Sequence, residues 1–378
     1  MKIEIAEALL QKVLEKSTIT EDRIDEYRKY FQRMAKYKYD NYEQYGAGMR
    51  FIEKLALWLD GMEDADKETA LEFIKNRVVF ISALEMRLLV EACYPDLIKD
   101  ILIDTINIQN SYPSYTLNKV INSQEYKMLL RRSLFFGMSD GARIDEFRRA
   151  NTGKISHEQI YQTYELSEVR AEKMQKELIQ DFPGLFGREA KEGEDKFQRL
   201  FLLDDFSASG TSYLKYDKEK DKLKGKIAGL YESVFSKDSK LSKIFDIDNL
   251  KVYVIIYLCT QQAKNAIESN FDILEAKYGH RPQLLTMHTI PQSFALDPSS
   301  DQDKLICEIC MKDQYYDPKL QNKHTDQGGT DVKMGFGGCG LPLILHHNTP
   351  NNSVPILWSY ENSKFEGLFP RIPRHIVL

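Results

Sequence analysis

The sequence predicts an α/β protein with a mainly parallel sheet and an N-terminal all-α helical region. Up to about residue 122, apolar residues such as Ile24, Tyr27 and Phe31 recur at the spacing of an amphipathic helix. Beyond that point, short apolar segments alternate with helical ones, as in sheets whose parallel strands are joined by helices. We therefore assign residues 1–122 to a helical N-terminal domain and residues 123–378 to an α/β domain with insertions and a C-terminal extension.

The composition is that of a globular protein, since 42% of the 378 residues are hydrophobic and 29% are charged. A formal charge of −5 gives no overall electrostatic reason to bind nucleic acid or an anionic membrane, although a local basic patch would still permit nucleic-acid binding. The longest strongly apolar segment, residues 252–259, is far shorter than the about 20 residues that span a bilayer. The acidic N-terminus and the five cysteines favour a cytoplasmic protein without disulfides.

Within these domains, apolar patterning predicts the individual elements. In the first domain we expect helices over residues 49–62, 70–80 and 83–103, the last interrupted near Tyr94-Pro95. The tyrosines of this domain fit a helical core better than a platform for stacking bases. In the second domain we expect strands at residues 133–138, 197–203, 251–259, 283–288 and 341–346, and helices at 142–149, 157–178 and 261–278. Residues 215–243 read as a Lys-rich insertion with one amphipathic helix, and residues 215–226 as a solvated face or a contact for a partner or nucleic acid.

The most informative segment follows the predicted strand at residues 197–203. Asp204 and Asp205 come first, and small residues then open an expected helix. Small residues let backbone N–H groups converge on an anion, and a helix start adds unpaired donors and partial positive charge. The two carboxylates would repel a phosphate but accept hydrogen bonds from sugar hydroxyls, so the segment suits a sugar phosphate. The candidate phosphate-binding residues are Ser207, Ala208, Ser209, Gly210, Thr211 and Ser212.

This segment resembles the motif that binds 5-phosphoribosyl-1-pyrophosphate (PRPP) in type I phosphoribosyltransferases. The resemblance implies a sheet of that type, with Asp204 and Asp205 on the ribose hydroxyls and residues 207–212 on the 5′-phosphate. The alternative is a strand-to-helix turn in which one Asp caps the helix. No Lys follows Gly210, which disfavours an ATP-hydrolysing P-loop.

A second loop, after the strand predicted at residues 133–138, lies where phosphoribosyltransferases bind the pyrophosphate of PRPP. Ser139, Asp140, Gly141 and Arg143 occupy the corresponding positions, and Arg143 could form charge-assisted hydrogen bonds to the diphosphate. The alternative for this loop is a surface turn followed by a charged helix.

The C-terminal segments at residues 335–342 and 346–358 distinguish the chain from small salvage enzymes. Together with the loop at residues 139–143, they resemble the phosphoribosyltransferase-like effectors of bacterial conflict (antiphage) systems. We expect the resemblance to cover most of residues 125–378 and the helical region too. It implies an effector that uses PRPP or a related sugar phosphate, without identifying the acceptor. A sensor that binds PRPP or a nucleotide and regulates a partner without turnover is the alternative function.

Transfer from PRPP passes through an oxocarbenium-like ribosyl cation while pyrophosphate departs. On the resemblance, Asp204 and Asp205 would stabilise the cation through the ring hydroxyls, while Arg143 and Mg²⁺ would stabilise the leaving group. The Mg²⁺ would be held mostly by PRPP oxygens and water rather than by protein ligands. His346, His347 and Asp140 are general-base candidates by residue type, and neighbouring histidines on a strand point to opposite faces.

Two further features leave alternatives open. Cys307, Cys310, His324 and Cys339 are of zinc-ligand type but lack the paired spacing of a zinc ribbon, so they bind zinc or are ordinary thiols. The helical N-terminal region shows no catalytic residues, and it could dock onto a protein partner that holds the enzyme inactive.

Overall fold

The computed structural model describes residues 3–17, 19–113, 115–163, 167–236, 239–321, 325–328, 332–359 and 365–371. The chain divides into two compact units. One comprises Met1–Glu85 with Pro291–Leu378, and the other comprises Met86–Ile290. This division differs from the boundary expected at residue 122. Helices that follow residue 85 belong to the α/β unit, whereas the C-terminal segment belongs with the N-terminal helices.

The secondary structure consists mainly of helices, with short strands between them. The helices are α1 (Ile3–Glu15), α2 (Glu21–Tyr37), α3 (Phe51–Asp60), α4 (Lys67–Asn76), α5 (Ala83–Cys93), α6 (Lys99–Asn110), α7 (Leu117–Ile121), α8 (Gln124–Arg131), α9 (Ile144–Ala150), α10 (Glu168–Phe186), α11 (Lys226–Phe235), α12 (Gln261–Glu268), α13 (Phe271–Tyr278) and α14 (Lys304–Met311). The strands are β1 (Val79–Ile81), β2 (Ser133–Gly137), β3 (Ile160–Gln162), β4 (Arg199–Ser207), β5 (Lys215–Asp217), β6 (Lys222–Lys224), β7 (Lys251–Thr260), β8 (Gln283–Ile290) and β9 (Leu343–Leu345). A π-helical segment, Tyr94–Ile98, joins α5 to α6 at the predicted interruption.

The α/β unit is built on a five-stranded sheet in the order β3-β2-β4-β7-β8, in which every neighbouring pair is parallel. The strand β7, between β4 and the edge strand β8, is buried along its length apart from Lys251, as expected for a parallel sheet covered on both faces. The chain runs from β2 to β3 on one side and then returns to β4 on the other, so a switch point lies between β2 and β4. Ligands of such sheets bind outside the carboxyl ends of the strands at this point. The predicted fold class is confirmed.

Two short strands lie where the sequence predicts helices. The strand β3 falls inside the segment predicted as helical over residues 157–178, and the helix there, α10, begins only at Glu168. The strand β1 pairs in parallel with β9 in a separate two-stranded sheet. The N-terminal region is therefore not entirely helical, and the last predicted strand does not join the main sheet. Three residues are too few for a strand period to show in the sequence.

The first unit has an aromatic core that joins the two ends of the chain. The ring of Phe369 lies 5.4 Å from that of Tyr39, 5.8 Å from that of Phe51 and 5.9 Å from that of Phe80. In the same unit, the indole Nε1 of Trp58 donates to the carbonyl oxygen of Ile356 at 2.9 Å. The N-terminal helices thus fold together with the C-terminal segment. Among the described residues, no helix is long and apolar enough to cross a membrane.

Replacing Phe369 tests whether the chain ends share one core. Phe369 has no exposed surface, so we expect Phe369→Ala to destabilise the first unit by about 3–5 kcal/mol through lost burial and an unfilled cavity. Urea unfolding followed by tryptophan fluorescence measures this change, because Trp58 and Trp358 both lie in this unit. Tyr37→Ala is the control, since Tyr37 is 71% exposed. Equal unfolding midpoints for the two variants would contradict the shared core.

Candidate active site

The strand β4 continues through both predicted carboxylates. We expected a loop from Asp204 onward, but the strand pairs with β7 as far as Ser207, and the loop begins at Ala208. Successive side chains on a strand point to opposite faces. Asp204 and Asp205 therefore cannot play equivalent parts, and their surroundings differ accordingly.

Asp204 has no exposed surface and lies at the centre of a hydrogen-bond network. Its Oδ1 accepts from the hydroxyl of Ser139, which follows β2. Its Oδ2 accepts from the hydroxyl of Tyr213 at 2.8 Å and from Lys226 Nζ at 2.6 Å. Burial holds the pKa of Tyr213 well above its usual value, so the phenol remains a donor. Asp204 is thus engaged inside the protein, whereas the resemblance placed it on the ribose hydroxyls.

Asp205 is half-buried and lies against the loop that follows β2. A Cβ added to Gly141 would come within 2.4 Å of Asp205 Oδ2, so only glycine leaves room for the carboxylate there. The backbone N–H of Phe206 donates to Asp205 Oδ1 at 2.8 Å. Burial, and then the charge of Asp204, raises the pKa of Asp205 to about 7. Asp205 is therefore the partly exposed carboxylate of the pair, and it lies against the loop after β2.

The loop after β4 presents hydrogen-bond donors. Within the described ranges, the backbone N–H groups of residues 209–212 donate to no protein acceptor. The hydroxyls of Ser209 and Thr211 lie 3.0 Å apart, and Ser207 Oγ is buried with no hydrogen-bond partner among the described side chains. Converging N–H and hydroxyl donors are what an anion such as phosphate requires. Residues 207–212, called the cradle below, are therefore candidates for an anion site.

Helix α12 fixes the position of this loop. The hydroxyl of Thr260 donates to the carbonyl oxygen of Ala208 at 2.5 Å and also caps α12 by accepting from the N–H of Ala263. Gly210 has φ +76°, and a Cβ there would lie 2.9 Å from the carbonyl oxygen of Ala263. Glycine is required at this position both by its backbone conformation and by the close approach of α12.

The helix expected to follow the loop is divided in two by a hairpin. Residues 210–214 form one turn, in which the N–H of Leu214 donates to the carbonyl oxygen of Gly210 at 3.2 Å. The strands β5 and β6 then form an antiparallel hairpin, and α11 begins at Lys226. The N–H groups of Lys226 and Ile227 donate back to the carbonyl oxygens of Ser212 and Tyr213 at 3.1 and 3.0 Å. The turn at the loop therefore continues directly into α11, and α11 is the predicted helix of the insertion.

The loop after β2 lies beside this cradle, as predicted. Asp140–Ala142 forms a 3₁₀ turn in which Asp140 is exposed. The buried hydroxyl of Tyr257, on β7, donates to the carbonyl oxygen of Ala142 at 3.2 Å. Ser139 links this loop to Asp204 of the neighbouring strand. The structure thus brings the two predicted loops together at the switch point of the sheet.

The environment of the Arg143 side chain differs from that expected of a diphosphate ligand. Its side chain is only 16% exposed, and its Nη1 donates to Glu146 Oε1 at 3.0 Å in the first turn of α9. The backbone of Arg143 is left-handed, with φ 51°, which directs the chain from the 3₁₀ turn into α9. At least one guanidinium nitrogen of Arg143 is thus paired with a protein carboxylate rather than left open for a diphosphate.

The remaining candidate residues that the structure describes belong to the first unit rather than to the α/β unit. His346 and His347 belong to the first unit, where His346 is 1% exposed and its Nε2 lies 3.7 Å from a carboxylate oxygen of Glu43. Cys307 and Cys310 are buried on α14, and burial raises the pKa of the Cys307 thiol to about 11. His324 lies outside the described residues. Among the residues that are described, no group of three or more His, Cys, Asp or Glu could hold a metal.

The fold and the two loops define a phosphoribosyltransferase-like protein: a parallel sheet with a small-residue loop after β4 and a second loop after the adjacent strand β2. Comparison with family models supports this class. The chain belongs to the PRTase-CE family, whose model matches residues 55–371. No curated protein and no solved structure matches the chain.

Tyr213 and Lys226 are the site residues that sequence reasoning missed. Tyr213 directly follows the predicted loop, and this position is the only sequence feature that could have indicated a role at the site. Lys226 falls in the segment read as a solvated face or partner contact, yet it forms an ion pair with the fully buried Asp204. The hairpin separates it from the motif, so its approach to Asp204 depends on the fold.

Removing Lys226 tests the network around Asp204. We expect Lys226→Met to lower the free energy of unfolding by about 1.5–3 kcal/mol, because a buried carboxylate loses a charged partner. Lys222→Met is the matched control, since Lys222 is an exposed lysine of the same hairpin. Urea unfolding of both variants measures the difference, and equal destabilisation would refute the structural role of Lys226.

The raised pKa of Asp205 predicts a pH dependence of stability. Between about pH 4 and 7 the folded state binds a proton at Asp205 that the unfolded state has released, so this contribution to stability is lost as the pH rises through that window. Asp205→Asn lacks this contribution. We therefore expect the unfolding free energy of the wild type, minus that of Asp205→Asn, to fall from pH 4 to 7 and then level off. A difference that stays constant with pH would show that Asp205 has an ordinary pKa.

Proposed function

We propose that this phosphoribosyltransferase-like protein binds PRPP across the loops after β2 and β4, and that it transfers or cleaves ribose 5-phosphate with release of pyrophosphate. One observation carries the proposal. Among the described residues, the backbone N–H groups of residues 209–212 donate to no protein acceptor, and they follow closely on the half-buried carboxylate of Asp205. An anion cradle next to a hydrogen-bond acceptor suits a phosphorylated sugar with free hydroxyls. The proposed biological role is that of an effector in antiphage defence, which rests on the resemblance of residues 335–358.

In this proposal the two carboxylates have different roles. Asp205 accepts hydrogen bonds from the ribose hydroxyls and, when ionised, stabilises positive charge developing on the ring. Asp204 acts through its partners, since it holds Ser139 and Lys226 in place around the cradle. Asp204 is thus a positioning residue in the arrangement that the structure describes.

The departing pyrophosphate requires positive charge at the loop after β2. Mg²⁺ suits this edge of the sheet because the exposed carboxylate of Asp140 offers oxygen ligands, with PRPP oxygens and water supplying the others. When bound, the ion would neutralise negative charge on the leaving group. Arg143 would contribute to the same charge through guanidinium N–H groups other than those that Glu146 occupies.

The alternative function is a non-catalytic sensor that binds PRPP or a nucleotide and regulates a partner protein. One observation favours it. Asp204 and Arg143, both expected to act on the ligand, are engaged with protein groups. A binding site needs the cradle and Asp205, whereas turnover also needs charge stabilisation on the leaving group.

Replacing Asp205 tests the binding site. We expect Asp205→Asn to weaken PRPP binding about 10- to 100-fold in the presence of Mg²⁺, because hydroxyls lose a charged acceptor worth about 1.5–3 kcal/mol. Isothermal titration calorimetry measures the affinity, and circular dichroism confirms the fold. Asp272→Asn, which removes an exposed carboxylate on α13, serves as the control. Unchanged PRPP affinity in Asp205→Asn would refute the assigned site.

Turnover separates the enzyme from the sensor. The protein is mixed with PRPP, Mg²⁺ and a panel of bases and nucleotides, and pyrophosphate is measured over time. The enzyme is supported if the wild type releases more pyrophosphate than the protein concentration and Asp205→Asn does not. Saturable binding without release supports the sensor. Loss of phage protection in cells that express Asp205→Asn in place of the wild type would support the defence role.

A further inference from the structure

A buried glutamine ends the edge strand β3, beside the loop that follows β2. Gln162 is the last residue of β3, and in the parallel register it lies opposite Gly137, the last residue of β2. Its side chain belongs to the interior, since the residue is only 7% exposed. Side-chain amides are seldom buried unless they are hydrogen-bonded, so the partners of this amide indicate what it stabilises.

The side-chain amide of Gln162 donates to two backbone carbonyl oxygens at the start of this loop. In the orientation that satisfies both ends of the amide, its nitrogen lies 2.9 Å from the carbonyl oxygen of Gly137 and 3.2 Å from that of Ser139. A Cβ added at residue 137 would come within 2.5 Å of the carboxamide and displace it. Gln162 therefore bridges the residues on either side of Met138, where the chain leaves the sheet.

The same part of the loop is held from the other side by β4. The N–H of Met138 donates to the carbonyl oxygen of Leu203 at 2.9 Å, and the hydroxyl of Ser139 donates to Asp204. The carbonyl oxygen of Ser139 also accepts from the N–H of Ala142 at 3.0 Å, which closes the 3₁₀ turn. Since β2 lies between β3 and β4, hydrogen bonds from both neighbouring strands fix the start of the loop.

We propose that Gln162 is a positioning residue of the PRPP site, an inference that rests on the proposed function. Its carboxamide fixes the main chain at the start of the loop after β2, so that the hydroxyl of Ser139 reaches Asp204. The same path of the chain places Gly141 against Asp205. Without the amide donors the loop gains conformational freedom, which a ligand must remove when it binds. Gln162 thus acts through the loop rather than by contact with the ligand.

A second buried glutamine provides a matched control. Gln159 is 2% exposed, and its side-chain nitrogen donates to the carbonyl oxygens of Leu130 and Ser133, both at 2.7 Å. These two residues lie at or just before the amino end of β2, whereas the loop at residues 139–143 follows its carboxyl end. Replacing either glutamine by methionine removes two hydrogen bonds and keeps a side chain of similar length.

Affinity for PRPP distinguishes the two positions. We expect Gln162→Met to weaken PRPP binding about tenfold in the presence of Mg²⁺, which corresponds to about 1.4 kcal/mol needed to order the loop. We expect Gln159→Met to bind PRPP as tightly as the wild type, although the urea midpoints of both variants fall because buried carbonyl groups lose their donors. Isothermal titration calorimetry measures the affinities. Equal affinities of the two methionine variants would overturn the proposal.

Gln162→Glu tests whether the lost donors cause the effect. An ionised carboxylate cannot donate to the two carbonyl oxygens, whereas a protonated carboxyl group donates to one of them. We therefore expect the affinity of Gln162→Glu, relative to the wild type at the same pH, to rise as the pH is lowered from about 8 to about 5.5. The same ratio for Gln162→Met should stay constant, and taking ratios removes the contribution of Asp205, which titrates in every variant. A deficit of Gln162→Glu that is unchanged at the lower pH would overturn the proposal.

Hydrogen–deuterium exchange of the ligand-free protein separates the role of Gln162 from the proposed function. We expect Gln162→Met to speed exchange in peptides that cover residues 137–143, and Gln159→Met to leave these peptides unchanged. Failure of the wild type to bind PRPP would refute the proposed function. Unchanged exchange of residues 137–143 in Gln162→Met would refute the role of Gln162, whether or not PRPP binds.

Discussion

The arrangement of the candidate site depends on one buried carboxylate. Asp204 has no exposed surface, yet it accepts hydrogen bonds from Ser139, Tyr213 and Lys226. An ionised carboxylate is tolerated in such a position only when its oxygens are paired. The three donors come from the loop after β2, the turn after β4 and the start of α11. Their shared acceptor therefore links the loop after β2 to the loop after β4 and to α11.

The hairpin explains how Lys226 reaches this carboxylate. Without the hairpin, the helical turn at residues 210–214 would run on directly past Leu214. Here β5 and β6 are inserted, and the helix resumes at Lys226 with its N–H groups bonded to the carbonyl oxygens of the preceding turn. The close approach of Gly225, whose added Cβ would lie 2.5 Å from the carbonyl oxygen of Tyr213, closes the base of the hairpin. Despite the insertion, the first helical turn therefore stays at the loop after β4. The insertion also places the ammonium group of Lys226 beside Asp204.

Much of the α/β unit could be predicted from sequence, because β2, β4 and β7 are continuous apolar segments and the loop after β4 has an unusual small-residue composition. Strands β2, β7 and β8 and the small-residue loop at residues 208–212 follow directly from these local signals. The environments of Asp204 and Arg143 could not be predicted in this way. Whether an acidic or basic side chain faces a cleft or a protein partner depends on neighbours distant in sequence, such as Lys226, and on which face of the strand it occupies. The shared core of the chain ends is likewise a long-range feature, as the contacts of Phe369 show.

The unequal surroundings of the two aspartates have a consequence for ligand binding. Asp205 is the carboxylate against Gly141, and burial together with the charge of Asp204 raises its pKa to about 7. Sugar hydroxyls that donate to its oxygens, or a cation that approaches them, stabilise the ionised form and lower that pKa. Binding of such a ligand near neutral pH is therefore linked to release of a proton from Asp205. Because the oxygens of Asp204 already accept hydrogen bonds from Ser139, Tyr213 and Lys226, we infer that a ligand would act on Asp205 rather than on Asp204.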